Sequence, residues 1–415
     1  MRNLAVRADR IDADISALAA LTDPGRPWTR RAFTPRFAEG RSFLERAMTA
    51  AGLETRIDAA GNLIGRRRGD GGKPGTILVG SHSDTVPDGG RFDGIAGVVA
   101  GLEIVRALRD RGITLAHDLE VIDCLSEEVS IFGVSCVGSR AAAGVLSPAW
   151  LDRTADGLSL RAGIAAVGGD PDRLALAVRD DLRAFLELHI EQGPVLEAEQ
   201  RDIGIVTTIA GITRVEIRVE GRADHAGTTP MTARADALVA AAALVLDVRA
   251  LALALANRGP GHFAATVGEF RIEPGAANVV PSSARLLIDA RAEHRPDMVA
   301  FLDQLAIRAA AVAGGHGVHI PTPDLVSDNH PTPADPALLD EITAAAETVG
   351  VRHRRMASGA GHDMAWFARV APAAMVFVPC RGGRSHNAEE WAESDAIALG
   401  TEVLFETILR LDRGV

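Results

Sequence analysis

The stretch VGSHSDTVPDGGRFDG, residues 79–94, contains three side chains that can bind a metal ion or transfer a proton: His82, Asp84 and Asp93. A short apolar run, residues 77–79, leads into it, as is typical of a buried strand that ends in a loop. Four glycines within the stretch allow the backbone to turn tightly around those side chains. A single His-x-Asp pair is most often part of a surface loop, so the interpretation depends on what the later strands carry.

Three later predicted strands also end in ionisable side chains. These are Glu127 and Glu128 after residues 119–125, His189 within residues 184–190, and His386 beyond residues 373–378. Strands that alternate with helices indicate an α/β fold, here a mixed sheet with helices on both faces. Because ligands bind at the carboxyl ends of strands in such sheets, we predict that these side chains meet at one edge.

The pattern changes between about residues 210 and 322, where strands of alternating polarity accompany two long helices. We therefore predict a catalytic domain formed by residues 1–209 and 323–415, with an inserted α+β dimerisation or lid domain at residues 210–322. The apolar helix predicted at residues 233–256 is interrupted by Asp247 and Arg249, which favours a buried or interface position over a membrane span. This helix and the additional domain lead us to expect a homodimer.

Length, net charge and cysteine content argue against several classes of protein. A length of 415 residues predicts two domains, and the net charge of −11 argues against a nucleic-acid partner, which would require a basic face. Three cysteines do not form a disulfide framework, and the N-terminal segment has no apolar signal-peptide core. We therefore expect a cytoplasmic protein with no membrane partner.

The five groups at the strand ends, three imidazoles and two carboxylates, suit metal binding: His82, Asp93, Glu128, His189 and His386. They can hold two divalent ions if one carboxylate bridges, and ions about 3.5–4 Å apart can polarise a carbonyl and activate water for amide hydrolysis. Without a thiolate the set suits Zn, Mn, Co or Ni. The alternative is structural: a histidine at one strand end is more often structural, and paired glutamates often begin a helix. Four such strand ends favour the metal interpretation.

Two further carboxylates lie beside these groups. Asp84 follows His82 by two residues and can hydrogen-bond the imidazole and fix its tautomer. Glu127 precedes Glu128, so their side chains point apart. One glutamate can then bind metal while the other acts as general base toward water and later protonates the leaving nitrogen.

The chain resembles the hydantoinase/carbamoylase family of amidases, within the dimetal peptidase superfamily that includes aminoacylases. The resemblance spans nearly the whole chain through GSHSDTVPDGGRFDG (80–94), SEEVSIFGVSCVGSR (126–140), LHIEQGPVLE (188–197), ADHAGTTPM (223–231), EPGAANVVP (273–281), SGAGHD (358–363) and SHNAEEW (385–391). It implies that one metal binds His82, Asp93 and His189, and the other Asp93, Glu128 and His386. It also implies that Asp84 and Glu127 are the orienting acid and general base, and that the peptide after the bridging aspartate, Asp93-Gly94, is cis.

The resemblance further implies a substrate site. Arg291 would bind the substrate carboxylate, Gln192 the carbamoyl group, and His225 the oxyanion, in dimers typically from the partner subunit. Asn278 and the backbone at Gly359 and Gly361 would line the same pocket. The structural alternatives are that His225 and Asn278 serve turns, and that Arg291 pairs with Glu293 or Glu273.

The implied activity is metal-dependent hydrolysis of an N-carbamoyl-L-amino acid to the amino acid, carbon dioxide and ammonia. Two alternatives are a ureide hydrolase acting on allantoate or ureidoglycolate, and a non-catalytic metal-binding homologue. The family usually has Gly and Arg where this chain has Val129 and Ile131, and the loop before His386 reads PCRGGRSHN. These departures bear on which substrate is bound, rather than on the metal chemistry.

Overall fold

The computed structural model describes residues 4–259 and 261–414. The chain folds into two compact units. Unit 1 comprises Met1–Thr207, Pro333–Met356 and His362–Val415, and unit 2 comprises Thr208–Thr332 and Ala357–Gly361.

Unit 1 is built on a mixed sheet with flanking helices. Its strands are β1 Glu54–Ile57, β2 Leu63–Arg67, β3 Thr76–His82, β4 Asp118–Cys124, β5 Thr154–Ala155, β6 Leu158–Ser159, β7 Leu182–Ile190, β8 Ile203–Ile209, β15 Thr332–Pro333, β16 His353–Ser358 and β17 Ala373–Val378. Its helices are α1 Ala8–Ala20, α2 Pro35–Ala50, α3 Ile95–Asp110, α4 Val137–Ala142, α5 Leu160–Ala166, α6 Val195–Ala198, α9 Pro336–Val349, α10 Met364–Phe367 and α11 Ser394–Arg413.

The centre of the sheet is parallel. The strand order is β1-β2-β4-β3-β7-β17-β8-β15, with β16 paired to β8, and the pairs β4/β3, β3/β7 and β7/β17 are parallel. All seven residues of β3 are buried, which explains the continuous apolar run in the sequence: parallel strands are covered on both faces. One helical layer contains α1, α3, α9 and α11, while α2, α4 and α5 contribute to a separate apolar cluster. The predicted fold class is confirmed.

The strand order places four carboxyl ends side by side. β4, β3, β7 and β17 are consecutive in the sheet and run in the same direction. Their ends, and the loops that follow, carry every predicted metal ligand.

Unit 2 contains a four-stranded antiparallel sheet of order β11-β13-β9-β14 and a short ribbon. The elements are β9 Gly211–Glu220, β10 Asp224–His225, β11 Phe263–Glu273, β12 Val279–Val280, β13 Ser283–Ala292, β14 Asp324–Asn329, α7 Ala237–Ala256 and α8 Arg295–His316. Alternate residues of β13 are buried, because its apolar face contributes to the same core as α7 and α8. Its other face is half-exposed and carries charged side chains.

Two helices of unit 2, α7 and α8, are long and apolar enough to cross a membrane by length and composition alone. Each also contributes buried side chains to the core beneath the sheet, among them Leu244 and Phe301. Leu246 and Leu253 on α7 are exposed.

Candidate metal centre

The five predicted ligands converge in unit 1. The Nε2 atom of His189 lies 3.0 Å from Oδ1 of Asp93, and Nε2 of His82 lies 3.9 Å from the same oxygen. The other oxygen of Asp93 lies 3.1 Å from Nε2 of His386, which is 3.0 Å from Oε1 of Glu128. Asp93 therefore presents one oxygen to each of two groups, His82/Asp93/His189 and Asp93/Glu128/His386, whose ligand atoms lie within 4.8 Å of one another.

The charges of the five ligand side chains favour the binding of a cation. Burial alone would raise the pKa of Asp93, but hydrogen bonds from His189 and His386 bring it well below its usual range. Hydrogen bonds to Asp93 and Glu128 raise the pKa of His386 to about 11. A site that holds a proton this strongly between carboxylates also attracts a metal cation, which can replace the proton.

The donor set fits divalent ions of borderline softness. It offers three imidazole nitrogens and two carboxylates, and Asp93 has an oxygen for each position. Nδ1 of His189 lies 2.9 Å from the carbonyl oxygen of Ile190, so Nδ1 carries the proton and Nε2 is left as the ligand atom. Together these features suggest a dimetal site and do not distinguish Zn from Mn, Co or Ni.

Asp84 reaches His82 differently from the prediction. Nδ1 of His82 lies 3.0 Å from the backbone carbonyl of Asp84, whereas the nearer carboxylate oxygen is 3.6 Å away. The carboxylate instead accepts the backbone N–H groups of Glu127 and Glu128, at 3.1 and 3.2 Å. Asp84 therefore sets the His82 tautomer through its carbonyl and fixes the backbone of the glutamate pair through its side chain.

Glu127 lies beside a different ligand from Glu128, which contacts His386. Its Oε2 lies 3.7 Å from Nε2 of His82, and the thiol of Cys136 is 3.5 Å from Oε1. Burial raises the pKa of Glu127 well above its usual range, His82 opposes the rise, and Glu128 adds to it. A carboxylate with a raised pKa is a stronger base, which suits proton transfer from water.

The predicted cis peptide at Asp93-Gly94 is wrong. Among the described residues the cis peptide is Glu273-Pro274. At Gly94 the chain turns instead through a γ-turn, with φ 67° and ψ −45° and a 2.7 Å hydrogen bond from the Ile95 N–H to the Asp93 carbonyl. The positive φ of glycine provides the sharp reversal that a cis bond would otherwise supply.

A second group able to hold a metal is Glu187/His189/His362. It shares His189, whose Nε2 faces Asp93 and whose Nδ1 faces the Ile190 carbonyl. Both nitrogens are therefore committed, and Glu187 instead accepts the Ser81 hydroxyl at 2.6 Å and the Met364 N–H at 3.0 Å. Because His189 and Glu187 are bonded in this way, we assign no separate metal site to this group.

Gln192 is the predicted substrate residue that lies in unit 1. Its Nε2 donates to Ser385 at 3.0 Å and approaches Oδ2 of Asp93 at 3.3 Å. The side-chain amide is therefore beside the shared carboxylate, at the edge of the centre.

His225 and Asn278 lie next to each other on the ribbon of unit 2. The Asn278 carbonyl accepts the Ala226 N–H at 3.0 Å, which continues the pairing of the ribbon, and Asn278 is exposed. Nδ1 of the exposed His225 accepts the backbone N–H groups of Gly227 and Thr228, at 3.1 and 3.2 Å. A neutral imidazole that accepts at Nδ1 carries its proton on Nε2, the form needed to donate to an oxyanion.

Arg291 is bound by two groups that the sequence analysis did not suggest, Asp289 and the backbone of Gly359. Its Nε donates to Oδ1 of Asp289 at 2.8 Å, and its Nη1 donates to the carbonyl of Gly359 at 2.8 Å. Oδ2 of Asp289 also accepts from Arg214 at 3.1 Å. Asp289 therefore binds two guanidinium groups. The sequence analysis did not suggest Asp289 as the partner of Arg291, although the two residues are two positions apart on the same face of β13. Gly361 lies in the same segment of unit 2 as Gly359.

The two departures near the glutamate pair differ in environment. Val129 is 58% exposed immediately after Glu128, whereas Ile131 packs with an apolar cluster that includes Phe33 and Phe132. Ile131 therefore has a packing role, and Val129 is the apolar side chain left at the surface beside the centre.

Comparisons with known proteins agree on the family of the chain. The model of peptidase family M20/M25/M40 matches residues 78–410. The chain is 41% identical to an N-carbamoyl-L-amino-acid amidohydrolase of Paenarthrobacter aurescens, over 98% of each protein. It is 35% identical to a ureidoglycolate hydrolase of Oryza sativa subsp. japonica, over 98% of this chain and 85% of the relative. A crystal structure of an amidase of the hydantoinase/carbamoylase family from Burkholderia multivorans matches with a TM-score of 0.88 at 36% identity, covering 98% of both chains.

Proposed function

Because the chain belongs to peptidase family M20/M25/M40, as an amidase of the hydantoinase/carbamoylase type that hydrolyses C–N bonds, we propose that its substrate is an N-carbamoyl-L-amino acid. The products are the amino acid, carbon dioxide and ammonia. The observation that carries the proposal is the 41% identity to a carbamoyl-amino-acid hydrolase over nearly the full length.

The proposed centre holds one ion through His82, Asp93 and His189 and the other through Asp93, Glu128 and His386. When bound, such ions would polarise the scissile carbonyl and acidify a water molecule. The residues of the chain are assigned to two further tasks, which are to orient the reacting groups and to transfer protons.

Glu127 is assigned as general base and acid. It accepts the proton of the attacking water and later gives a proton to the leaving nitrogen. Support comes from its burial, its raised pKa and its position 3.7 Å from Nε2 of His82. Asp84 positions it by accepting its backbone N–H.

Four side chains are assigned to the substrate. Arg291 binds the carboxylate, Gln192 the carbamoyl group, and His225 donates from Nε2 to the developing oxyanion, with Asn278 beside it. Arg291 is already held by Asp289 and Gly359, so its outer nitrogens can meet a carboxylate without further ordering of the side chain. The backbone at Gly359 and Gly361 is assigned to the same pocket.

The second candidate is a ureide hydrolase that acts on allantoate or ureidoglycolate. The 35% identity to a ureidoglycolate hydrolase supports it. Both substrate classes present a ureido group and a carboxylate, so the assigned residues serve either. We favour the carbamoyl-amino-acid substrate because the identity to that relative is higher and because the exposed Val129 next to Glu128 suits an apolar side chain better than the second ureido group of allantoate or the hydroxyl of ureidoglycolate.

The deciding experiment is a steady-state comparison of purified, Mn-loaded protein on N-carbamoyl-L-methionine, N-carbamoyl-L-aspartate, allantoate and ureidoglycolate. The proposal requires the highest kcat/KM on an apolar N-carbamoyl-L-amino acid, and activity that disappears on chelation and returns with added metal. Preference for a ureide would establish the second candidate. No turnover of any of the four by metal-replete protein would favour a non-catalytic homologue.

We also propose a homodimer and a cytoplasmic location. The exposed apolar residues Leu246 and Leu253 of α7 support an interface on unit 2. A light-scattering mass equal to one chain would contradict the dimer. The three buried, unpaired thiols suit a reducing compartment, and localisation of a tagged chain tests that part.

A further inference from the structure

Glu390 occupies a buried position between two segments of the metal centre. The residue is 1% exposed. Its Oε1 accepts the backbone N–H groups of Phe92 and Asp93, at 2.9 and 3.1 Å, and its Oε2 accepts the hydroxyl of Ser385 at 2.7 Å. One carboxylate thus ties the backbone of the shared ligand Asp93 to the loop that carries the next ligand, His386.

The surroundings are shaped around this carboxylate. A Cβ atom at Gly90 would lie 1.8 Å from Oε1 of Glu390, so only glycine leaves room for it. The rings of Phe92 and Trp391, which are the residues next to Asp93 and Glu390, pack edge to face with centroids 5.4 Å apart. The same two segments are therefore also in apolar contact. The two segments are therefore joined by hydrogen bonds and by packing at one place.

The contact also extends to Gln192, a proposed substrate residue. The Ser385 hydroxyl that donates to Glu390 accepts from Nε2 of Gln192 at 3.0 Å, and the same amide lies 3.3 Å from Asp93. Gln192, Ser385, Glu390 and Asp93 form a closed circuit. Losing Glu390 would release the Asp93 backbone, the His386 loop and the Gln192 amide together.

Glu390 does not act as a metal ligand itself. It belongs to none of the metal-capable groups found within residues 4–259 and 261–414, and both of its oxygens are occupied by donors from the chain. A buried carboxylate with three donors is well satisfied, so its removal leaves two backbone N–H groups without an acceptor.

We propose that Glu390 is a positioning residue of the metal centre, which fixes the Asp93 backbone relative to the His386 loop so that the two metal positions form together. This inference rests on the metal centre and not on the identity of the substrate. Loss of an outer hydrogen-bond partner of a metal ligand typically weakens metal binding about 10–100-fold.

The residue next to Glu390 provides a matched control. Glu389 precedes Glu390, and its side chain is 67% exposed and paired with Arg384. Glu390→Ala and Glu389→Ala remove the same group from adjacent positions of one loop. Glu390→Gln keeps an oxygen for the two backbone N–H groups, whereas Ser385→Ala removes the arm toward the His386 loop together with the hydroxyl that accepts from Gln192.

The experiment measures metal binding by the apo proteins, without substrate. Calorimetric titration with Mn²⁺ gives affinity and stoichiometry, the visible spectrum of Co²⁺-loaded protein reports ligand geometry, and thermal unfolding of the apo form reports folding. We expect Glu390→Ala to bind at least tenfold more weakly with an altered Co²⁺ spectrum, Glu390→Gln and Ser385→Ala to lose less, and Glu389→Ala to match wild type.

Wild-type affinity, stoichiometry and spectrum in a folded Glu390→Ala protein would overturn the proposal. If that variant does not fold, Glu390→Gln and Ser385→Ala decide: wild-type binding in both overturns it, and weakened binding in either supports it. Because the readout is metal rather than turnover, failure of the carbamoylase proposal leaves this test intact, and the two outcomes can be told apart.

Discussion

Replacing Gly94 with alanine should damage the metal centre by a contact that the structure specifies. Gly94 has φ 67°, and a Cβ atom there would lie 2.3 Å from Nε2 of His82. The imidazole is 1% exposed and its Nδ1 is bonded to the Asp84 carbonyl, so it cannot swing into open space. The added methyl group would therefore displace the His82 ring at Nε2, the nitrogen that would bind metal.

Two contributions to the effect can be separated. A left-handed α backbone costs an L-residue ~1–2 kcal/mol of folding free energy, and the φ 67° and ψ −45° of Gly94 lie outside even that region, so the cost at Gly94 is at least as large. The displaced imidazole weakens metal binding, and we expect about 10–100-fold by analogy with disturbed ligand orientation, or ~1.4–2.8 kcal/mol. Gly112 is the matched control, because its φ is +64° and a Cβ there meets nothing within 4 Å.

The assay is Mn²⁺ titration of apo Gly94→Ala and Gly112→Ala, with urea unfolding of both in the absence of metal. Both variants should lose apo stability, Gly94→Ala more than Gly112→Ala because of the clash with the buried His82, while only Gly94→Ala should lose metal affinity. Wild-type affinity in Gly94→Ala, or an equal loss of affinity in Gly112→Ala, would refute the reasoning about His82.

The remaining predictions concern the base, the carboxylate-binding arginine and a remote ion pair. Glu127→Gln should retain both metals by elemental analysis yet lose about 10²–10⁴-fold in kcat, since general-base catalysis contributes that much; near-normal turnover would mean the base is assigned wrongly. Asp289→Ala should raise KM for the carboxylate substrate several-fold with little change in kcat, because Arg291 loses the bond that orients it; an unchanged KM with a reduced kcat would contradict this. Burial would raise the pKa of Asp181, but Arg179 brings it to about 2 from 3.8. The unfolded state therefore binds more protons between these values, so stability rises with pH there, and the difference in Tm between wild type and Asp181→Asn should shrink as pH falls from about 5 to about 3. A difference independent of pH would count against that pair.

The layout of the centre could be predicted from the sequence because it follows from sheet geometry. Parallel central strands are buried on both faces, so β3 and β7 appear as apolar runs, and ligands at their ends must share an edge. His82 and His189 were found by that argument alone. Bridging by Asp93 came from family resemblance, because nothing in its spacing distinguishes it from Asp84.

The details that sequence reasoning missed depend on which of several equivalent groups the backbone brings inward. Glu389 and Glu390 are adjacent and chemically alike, yet one is exposed and the other buried against Gly90. The turn after Asp93 could be made by a cis bond or by a positive φ at Gly94, and the sequence permits both. The partner of Arg291 depended on the half-exposed face of β13, where Asp289 is one of several charged side chains.

The chain leaves and rejoins unit 1 at neighbouring points. The N–H of Ala334 donates to the carbonyl of Thr207 at 2.9 Å, so the two ends of the long intervening segment lie one hydrogen bond apart. Close ends are what allow one module to be spliced into a surface loop of another without disturbing the host. All five metal ligands and Glu127 belong to the host, whereas His225, Asn278 and Arg291 belong to the insert. Exchange of the insert would therefore replace the proposed substrate residues His225, Asn278 and Arg291 and leave Gln192 and the proposed metal ligands in the host.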